Sequence, residues 1–217
     1  MKTIIKKVNK EHPEADIICQ AGEILKKGGL VPTETVYGLG ANALDEEAAM
    51  KTYAAKGRPS DNPLIVHIAD MKDLPKIVTE IPEAAKKVAE KYWPGPLTMI
   101  FQKSDLVPHG TTGGLDTVAV RMPDHPIARD LILAGGGYIS APSANTSGRP
   151  SPTTAQHVEE DLTGKIDMIV DGGPVDIGVE SSILDVTVDP PMILRPGAIT
   201  KEMFEGVVGT VAVDHTL

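Results

Sequence analysis

Val31-Pro-Thr-Glu-Thr-Val-Tyr37-Gly-Leu-Gly-Ala-Asn-Ala43, a helical run from Asp45, then Lys56-Gly57-Arg58-Pro59-Ser60-Asp61-Asn62-Pro63 and the apolar Leu64-Ile65-Val66-His67-Ile68 form the stretch that decides the reading of this chain. Leu30 to Tyr37 reads as extended, and there alternate side chains share a face, so Thr33, Thr35 and Tyr37 point the same way. Asp45 is placed to cap a helix and Gly57 to end it. Leu64 to Ile68 then reads as a buried strand. Small hydroxyls lie before the helix, and two cations and an amide lie after it. That inventory suits a polyanion together with a small polar substrate. A second stretch, Ser140-Ala-Pro-Ser143-Ala-Asn145-Thr-Ser-Gly-Arg-Pro-Ser151-Pro, looks like its partner.

Outward from this stretch, helices and strands keep alternating. Residues 2–8 read as a short strand. Ile17, Ile18, Ala21, Ile24 and Leu25 recur at helical spacing and predict a helix over 14–27, stopped by Gly28-Gly29. Helices are expected at 70–79, 82–93 (Pro82 in its first position), 125–134, 153–162 and 200–208. Strands are expected at 97–102, 117–121, 138–141, 166–170, 180–186 and 192–195. This order predicts an α/β fold with a mixed sheet. There is no repeat, low-complexity tract or linker, so residues 1–217 are expected to form one domain.

The bulk numbers fit that picture. The 217 residues are 41% hydrophobic and 24% charged, which are globular values, and can bury a full core. Aromatics make up only 3%, so the core is expected to be aliphatic. A net charge of −9 argues against broad electrostatic binding to nucleic acid, whose footprint is basic, though a local basic cleft is compatible with it. The single cysteine, Cys19, forms no intramolecular disulfide and reads as core filler within an amphipathic helix. With no apolar leader and no run of membrane-spanning length, the expectation is a soluble cytoplasmic protein.

Several chemistries lack their signatures. There is no G-x-x-x-x-G-K-[ST] phosphate loop, no H-E-x-x-H or Cys/His cluster, and no G-x-S-x-G elbow, so neither a resident metal nor a serine nucleophile is expected. One decoy remains. Gly38-Leu-Gly40-Ala-Asn-Ala43 fits the G-x-G-x-x-A outline of a dinucleotide fingerprint, with Asp70 ending the next strand. Against it, the preceding strand carries Thr33, Glu34 and Thr35 rather than a continuous apolar run, and the helix starts late.

Lys56 and Arg58 have a plain reading as cations at a helix C-terminus. Pro59 holds Arg58 extended, however, and fixed cations of this kind suit phosphate. Ser143 and Asn145, two apart in an extended segment, point the same way. Arg121 leaves the core at a strand end, where an arginine needs a carboxylate from the protein or from a ligand. Glu180-Ser181-Ser182 and Arg195-Pro196-Gly197 also stand at strand ends, where ligands of open α/β sheets gather. His67, inside an apolar strand, reads from its context as a satisfied core histidine.

Taken together, Pro32-Thr-Glu-Thr-Val-Tyr-Gly-Leu-Gly, Lys56-x-Arg58-Pro with Asn62-Pro-Leu, Trp93-Pro-Gly-Pro-Leu-Thr, Val118-Ala-Val-Arg121, Ala141-Pro-Ser143-Ala-Asn145, Gly178-Val-Glu-Ser181-Ser and Leu194-Arg195-Pro-Gly resemble the YrdC family of threonylcarbamoyl-AMP synthases. The resemblance implies a YrdC-like twisted, open mixed sheet flanked by helices, with a large concave cavity. It also implies a reaction in which L-threonine, bicarbonate and ATP, with Mg²⁺ on the nucleotide and no tightly bound cofactor, give threonylcarbamoyl-AMP and pyrophosphate. Downstream proteins would transfer the threonylcarbamoyl group to tRNA. The family's catalytic tetrad falls on Lys56, Arg58, Ser143 and Asn145. ATP contacts fall on Arg58, Asn62, Thr117, Ser143, Ser151 and Arg195. Threonine contacts fall on Thr35, His67, Arg121, the main chain at Ala141, and Ser181, which turns His67 from core histidine into substrate neighbour. Lys56 and Arg58 are expected to be exposed cations facing phosphate. Two rival readings are an RNA-binding module using the same cavity and a carbamoyl-transfer domain of the hydrogenase-maturation type. The −9 charge disfavours the first, and the single cysteine disfavours the second.

Overall fold

The structure, a computed structural model, describes residues 2–33, 37–175 and 180–214, with Pro32 and Thr33 described through their backbone alone. In chain order the elements are β1 (Ile4–Lys7), α1 (Ala15–Lys26), β2 (Val31–Thr33), β3 (Gly38–Asn42), α2 (Glu46–Lys56), β4 (Ile65–His67), α3 (Leu74–Ile77), α4 (Glu83–Tyr92), β5 (Leu97–Gln102) and β6 (Thr117–Arg121). They continue with α5 (Pro126–Ala134), β7 (Ile139–Ser140), α6 (Ala155–Leu162), β8 (Met168–Asp171), β9 (Ser182–Asp185), β10 (Met192–Arg195), α7 (Lys201–Val208) and β11 (Ala212–Val213). Among the described residues nine strands form one mixed sheet in the order β11-β10-β9-β5-β6-β4-β7-β3-β2, and β1 pairs with β8 in a separate parallel ribbon. Among the described residues no helix is long and apolar enough to cross a membrane.

Local chemistry sets the boundaries. The Asp45 carboxylate accepts from the amides of Glu47 (2.9 Å) and Ala48 (3.4 Å), capping α2. Gly57 closes that helix at φ 60°, a left-handed conformation that costs glycine least. Thr154 and Thr200 cap α6 and α7 with their hydroxyls. In α1 the buried positions are Ile18, Ala21, Gly22 and Leu25. Cys19 lies off that stripe and is exposed, so it is not core filler. A Cβ at Gly22 would come within 2.6 Å of the Ala134 carbonyl oxygen, which is why α1 and α5 can pack so closely.

The Gly38–Asn42 segment is a strand, not a phosphate-binding turn. It lies between β2 and β7, with Val31 opposite Gly40 and Ala41 opposite Ser140. That pairing uses the backbone amides a dinucleotide turn would need and removes the fingerprint reading.

The central strands sort their side chains by parity. Val66, Met99, Phe101, Val118, Val120, Leu184 and Ile193 point to one face and are buried against Leu74, Ile77, Val88 and Phe204 of the helices. The core is aliphatic apart from Trp93, Phe101, Tyr138 and Phe204 in this cluster and two tyrosines, Tyr37 and Tyr53, elsewhere. The opposite parity faces away from that core, and the pairing register lines it up in rows. His67 stands opposite Arg121, Arg121 opposite Thr98, Thr98 opposite Ile183, and Ile183 opposite Arg195. Two arginines and a histidine are thereby carried onto one face of five neighbouring strands.

Candidate active site

That face forms the floor of a cavity of about 690 Å³, lined among others by Arg58, Asn62, His67, Arg121, Ser143 and Arg195. Arg121 is its most informative residue. Its Nε donates to the Gly95 carbonyl at 3.2 Å, and no carboxylate pairs with it among the described residues. Burial, with the Arg195 charge adding to it, pushes the guanidinium down to about 10, so it stays charged at neutral pH. A partly desolvated cation with no carboxylate partner among the described residues is a ready partner for an anionic ligand.

Arg195 is held differently. Its Nε donates to the Ser181 carbonyl (3.0 Å), its Nη2 to Ser181 Oγ (3.1 Å), and its Nη1 to Glu180 Oε2 (2.6 Å). Ser181 Oγ also lies 2.8 Å from Thr98 Oγ1, and both residues are buried. Arg58 is fixed by its own loop: its Nη2 donates to Asn62 Oδ1 (2.6 Å) and the Pro63 carbonyl (3.1 Å), and its Nε to the Asn62 carbonyl (3.3 Å). Burial lowers its pKa too. His67 Nδ1 lies 3.2 Å from the Ile65 carbonyl, and burial, then the Arg121 charge, push the ring down to about 3. The imidazole is therefore neutral and adds no third cation beside Arg121.

Lys56 corrects the expectation of an exposed cation. It is 1% exposed, and its Nζ donates to the Ser143 carbonyl, to the Asn145 carbonyl at 2.7 Å and to Asn145 Oδ1 at 3.5 Å. Burial and the neighbouring Arg58 push it down to about 8. Asn145, also buried, turns its amide nitrogen to the carbonyls of Thr146 (3.0 Å) and Arg149 (2.8 Å). Lys56 and Asn145 therefore stand behind the cavity wall as struts of the segment that carries Ser143, and neither lines the cavity. An amphipathic pattern could not reveal this, because a lysine in the last turn of a helix reads as a solvated dipole partner.

Of the other expected residues, Arg58, Asn62, His67, Arg121, Ala141, Ser143, Ser181 and Arg195 line the cavity together. Thr117 shares a face with Ala119 and Arg121 but stands at the far end of β6, beyond the lining. Ser151 does not line the cavity either, but its Oγ lies 3.5 Å from Oε1 of Glu180, which does. Thr35 lies outside the described residues. Two participants had no role assigned to them from the sequence. Glu180 is the carboxylate on Arg195, and Thr98 is the buried hydroxyl on Ser181. The alternation of Leu97, Met99 and Phe101 with Thr98 and Ile100 held the signal for Thr98, since it places a hydroxyl on the strand's second face.

Comparison with known proteins gives the chain's family. The Sua5/YciO/YrdC family model, described as telomere recombination, matches residues 23–197. A Pyrococcus abyssi threonylcarbamoyl-AMP synthase is 54% identical over 213 residues, covering 97% of this chain and 62% of that protein. One from Bacillus subtilis is 55% identical over 203 residues, covering 92% and 59%. The chain thus spans less than two thirds of the length of these two relatives. The crystal structure of P. abyssi Sua5 complexed with L-threonine superposes with a TM-score of 0.94 at 54% identity, over 98% of this chain and 63% of that one. Escherichia coli YciO shares the fold, with a TM-score of 0.84 at 23% identity over 93% of this chain and 99% of that one. The chain belongs to the Sua5/YciO/YrdC family.

Proposed function

We propose that this chain, acting as one YrdC-like domain, is a nucleotidyltransferase that makes threonylcarbamoyl-AMP and pyrophosphate from L-threonine, bicarbonate and ATP. The product would feed a separate protein that transfers the threonylcarbamoyl group to tRNA. The observation that carries the reading is Arg121: a half-buried guanidinium in the cavity wall with no carboxylate partner among the described residues, beside a neutral His67 and the row that leads to Arg195. It is supported by likeness to a protein solved with L-threonine.

The chemistry follows from the donors. Arg121 takes the threonine carboxylate, and neutral His67 packs beside it. The threonine amine loses a proton and adds to the carbon of bicarbonate, with loss of water, or to carbon dioxide, giving a carbamate. A carbamate oxygen forms a bond to the α-phosphorus of ATP as the bond from that phosphorus to the β-bridging oxygen breaks, and pyrophosphate leaves. No side chain needs to become covalently attached. Arg58 and Arg195 stabilise the phosphates, the usual role of fixed cations in transfer at phosphorus. Mg²⁺ would arrive on the nucleotide as part of the substrate. Ser143 contributes from the wall, and Asn145 and Lys56 act through it.

Amino-acid selectivity tests this reading. Ser181, fixed by Arg195 and Thr98, offers the substrate hydroxyl a rigid partner, with Thr35 as the second expected one. Valine should be turned over at least about a hundredfold less efficiently than threonine, because it leaves buried polar groups unpaired. Serine, lacking only a methyl group, should lose on the order of 1–3 kcal/mol. Pyrophosphate release measured with each amino acid decides the matter, and equal kcat/KM for valine and threonine would remove this account of the pocket.

A further inference from the structure

The tetrad does not stand alone. Behind it, on α6, Asp161 is nearly buried, with its side chain 7% exposed. Its Oδ1 takes the guanidinium of Arg149, and its Oδ2 accepts from the Thr146 amide at 3.1 Å. Thr146 and Arg149 are the two residues whose carbonyls receive the Asn145 amide. One carboxylate therefore closes both ends of the 146–149 turn, and that turn encloses Asn145. On the inner side, Lys56 Nζ gathers the carbonyls of Ser143 and Asn145, and the Ser147 amide donates to the Lys56 carbonyl at 2.9 Å. The connection runs without a gap from α6 through the turn to the end of α2 and the cavity wall at Ser143.

We propose that Asp161 is a positioning residue for this site: from outside the cavity it locks the 146–149 turn, and through Asn145 and Lys56 it holds Ser143 in its place on the wall. The proposal rests on the functional reading above. Its physical content is that the segment has no regular ladder to hold it. Among the described residues a single bridge joins Gly38 to Ser143, and the amides of Ala144 and Ser147 donate to the carbonyls of Tyr37 and Lys56; the carbonyls of Ser143, Asn145 and Arg149 and the Thr146 amide rely on side chains. Asp161 has a second effect. The charged groups acting on the Lys56 ammonium are Arg58 at the end of the same helix, Asp161 on α6 and Glu180 before β9. Arg58 disfavours the ammonium, and the two carboxylates favour it. Removing the Asp161 charge makes the ammonium release its proton at lower pH.

The test uses Asp161→Asn, which keeps an oxygen for the Thr146 amide but loses the charge. Arg149→Gln breaks the same ion pair from its exposed end and is the variant to use should the first fold poorly. Glu159→Gln, an exposed carboxylate on the same helix, is the control. Both test variants should lose kcat for pyrophosphate release by roughly ten- to a hundredfold, the scale of a small misplacement. KM for threonine should stay within about twofold, because Arg121 is untouched. In Asp161→Asn the basic limb of the kcat profile should move to lower pH. The Lys56 Nζ resonance, followed by NMR across pH, should titrate lower by the same interval. A fall in melting temperature with kcat and the Lys56 titration unchanged would reduce Asp161 to a structural residue and overturn the proposal. If wild-type protein forms no pyrophosphate, the functional reading fails instead, and the Lys56 titration still decides whether Asp161 acts on the tetrad.

Discussion

Arg121→Met should abolish measurable threonine binding and, at the same time, raise the melting temperature of the ligand-free protein. The two effects have one cause. The guanidinium is half-buried in the cavity wall and partly desolvated there, with one carbonyl partner, the repulsion of Arg195 and no carboxylate among the described residues. Folding bears that desolvation cost, and the ligand's carboxylate offsets it. Methionine keeps much of the side-chain volume without the charge. Replacing buried ionic groups with apolar ones of similar size often stabilises by about 1–4 kcal/mol. A chain of this size gains roughly 2–4 °C per kcal/mol. Truncating a buried charged partner of a ligand costs on the order of 2–5 kcal/mol, or at least about thirtyfold in affinity. Calorimetric titration with threonine and thermal melts of both proteins would measure the pair of effects. Retained affinity, or a lower melting temperature with affinity lost, would contradict the assignment.

Lys56→Ala and Arg58→Ala should both lose turnover but part ways in stability. Alanine at 56 strands the carbonyls of Ser143 and Asn145 where water cannot replace the ammonium, since Lys56 is almost wholly buried. An unsatisfied buried polar group costs about 1–3 kcal/mol, and here there are two together with a cavity, so a loss on the order of 3 kcal/mol is expected. Arg58 is half-buried, and its partners, the Asn62 side chain and two loop carbonyls, can turn to water. Its removal should cost less than about 1 kcal/mol, the range of exposed charged contacts. Urea unfolding of the two variants separates them. Equal stabilities would contradict the picture of Lys56 as a buried strut.

That contrast also marks where the sequence stopped being readable. Parity and punctuation placed most elements. Leu97–Gln102 and Thr117–Arg121 fall as expected because their alternation is undisturbed, Met192–Arg195 falls as expected as a short apolar run although its pairing with β9 shifts register between Ile193 and Arg195, and Asp45 and Gly57 bracket α2 because a cap and a left-handed glycine are local devices. The short strand β11 escaped, since two residues carry no period. Strand β3 escaped as a strand because its glycines and alanine gave no alternation to read; only pairing on both sides makes it one. Within the site, residues at strand ends were legible through position, and the register of β4, β6, β5, β9 and β10 brought His67, Arg121 and Arg195 into one row. What a side chain does after leaving its strand or helix was not legible. Lys56 turns inward to carbonyls supplied by residues 87 and 89 positions away, and no local pattern encodes that encounter. Glu180 on Arg195 and Asp161 on Arg149 are contacts of the same kind.

The central claim is that the cavity joins three substrates, with a carbamate as the attacking group. The most direct measurement is pyrophosphate release from ATP in degassed, bicarbonate-depleted buffer, with threonine and bicarbonate restored separately and then together. An attacking oxygen that belongs to a carbamate needs both, so neither addition alone should release pyrophosphate and the two together should. Pyrophosphate formed at full rate without threonine or without bicarbonate would contradict the account.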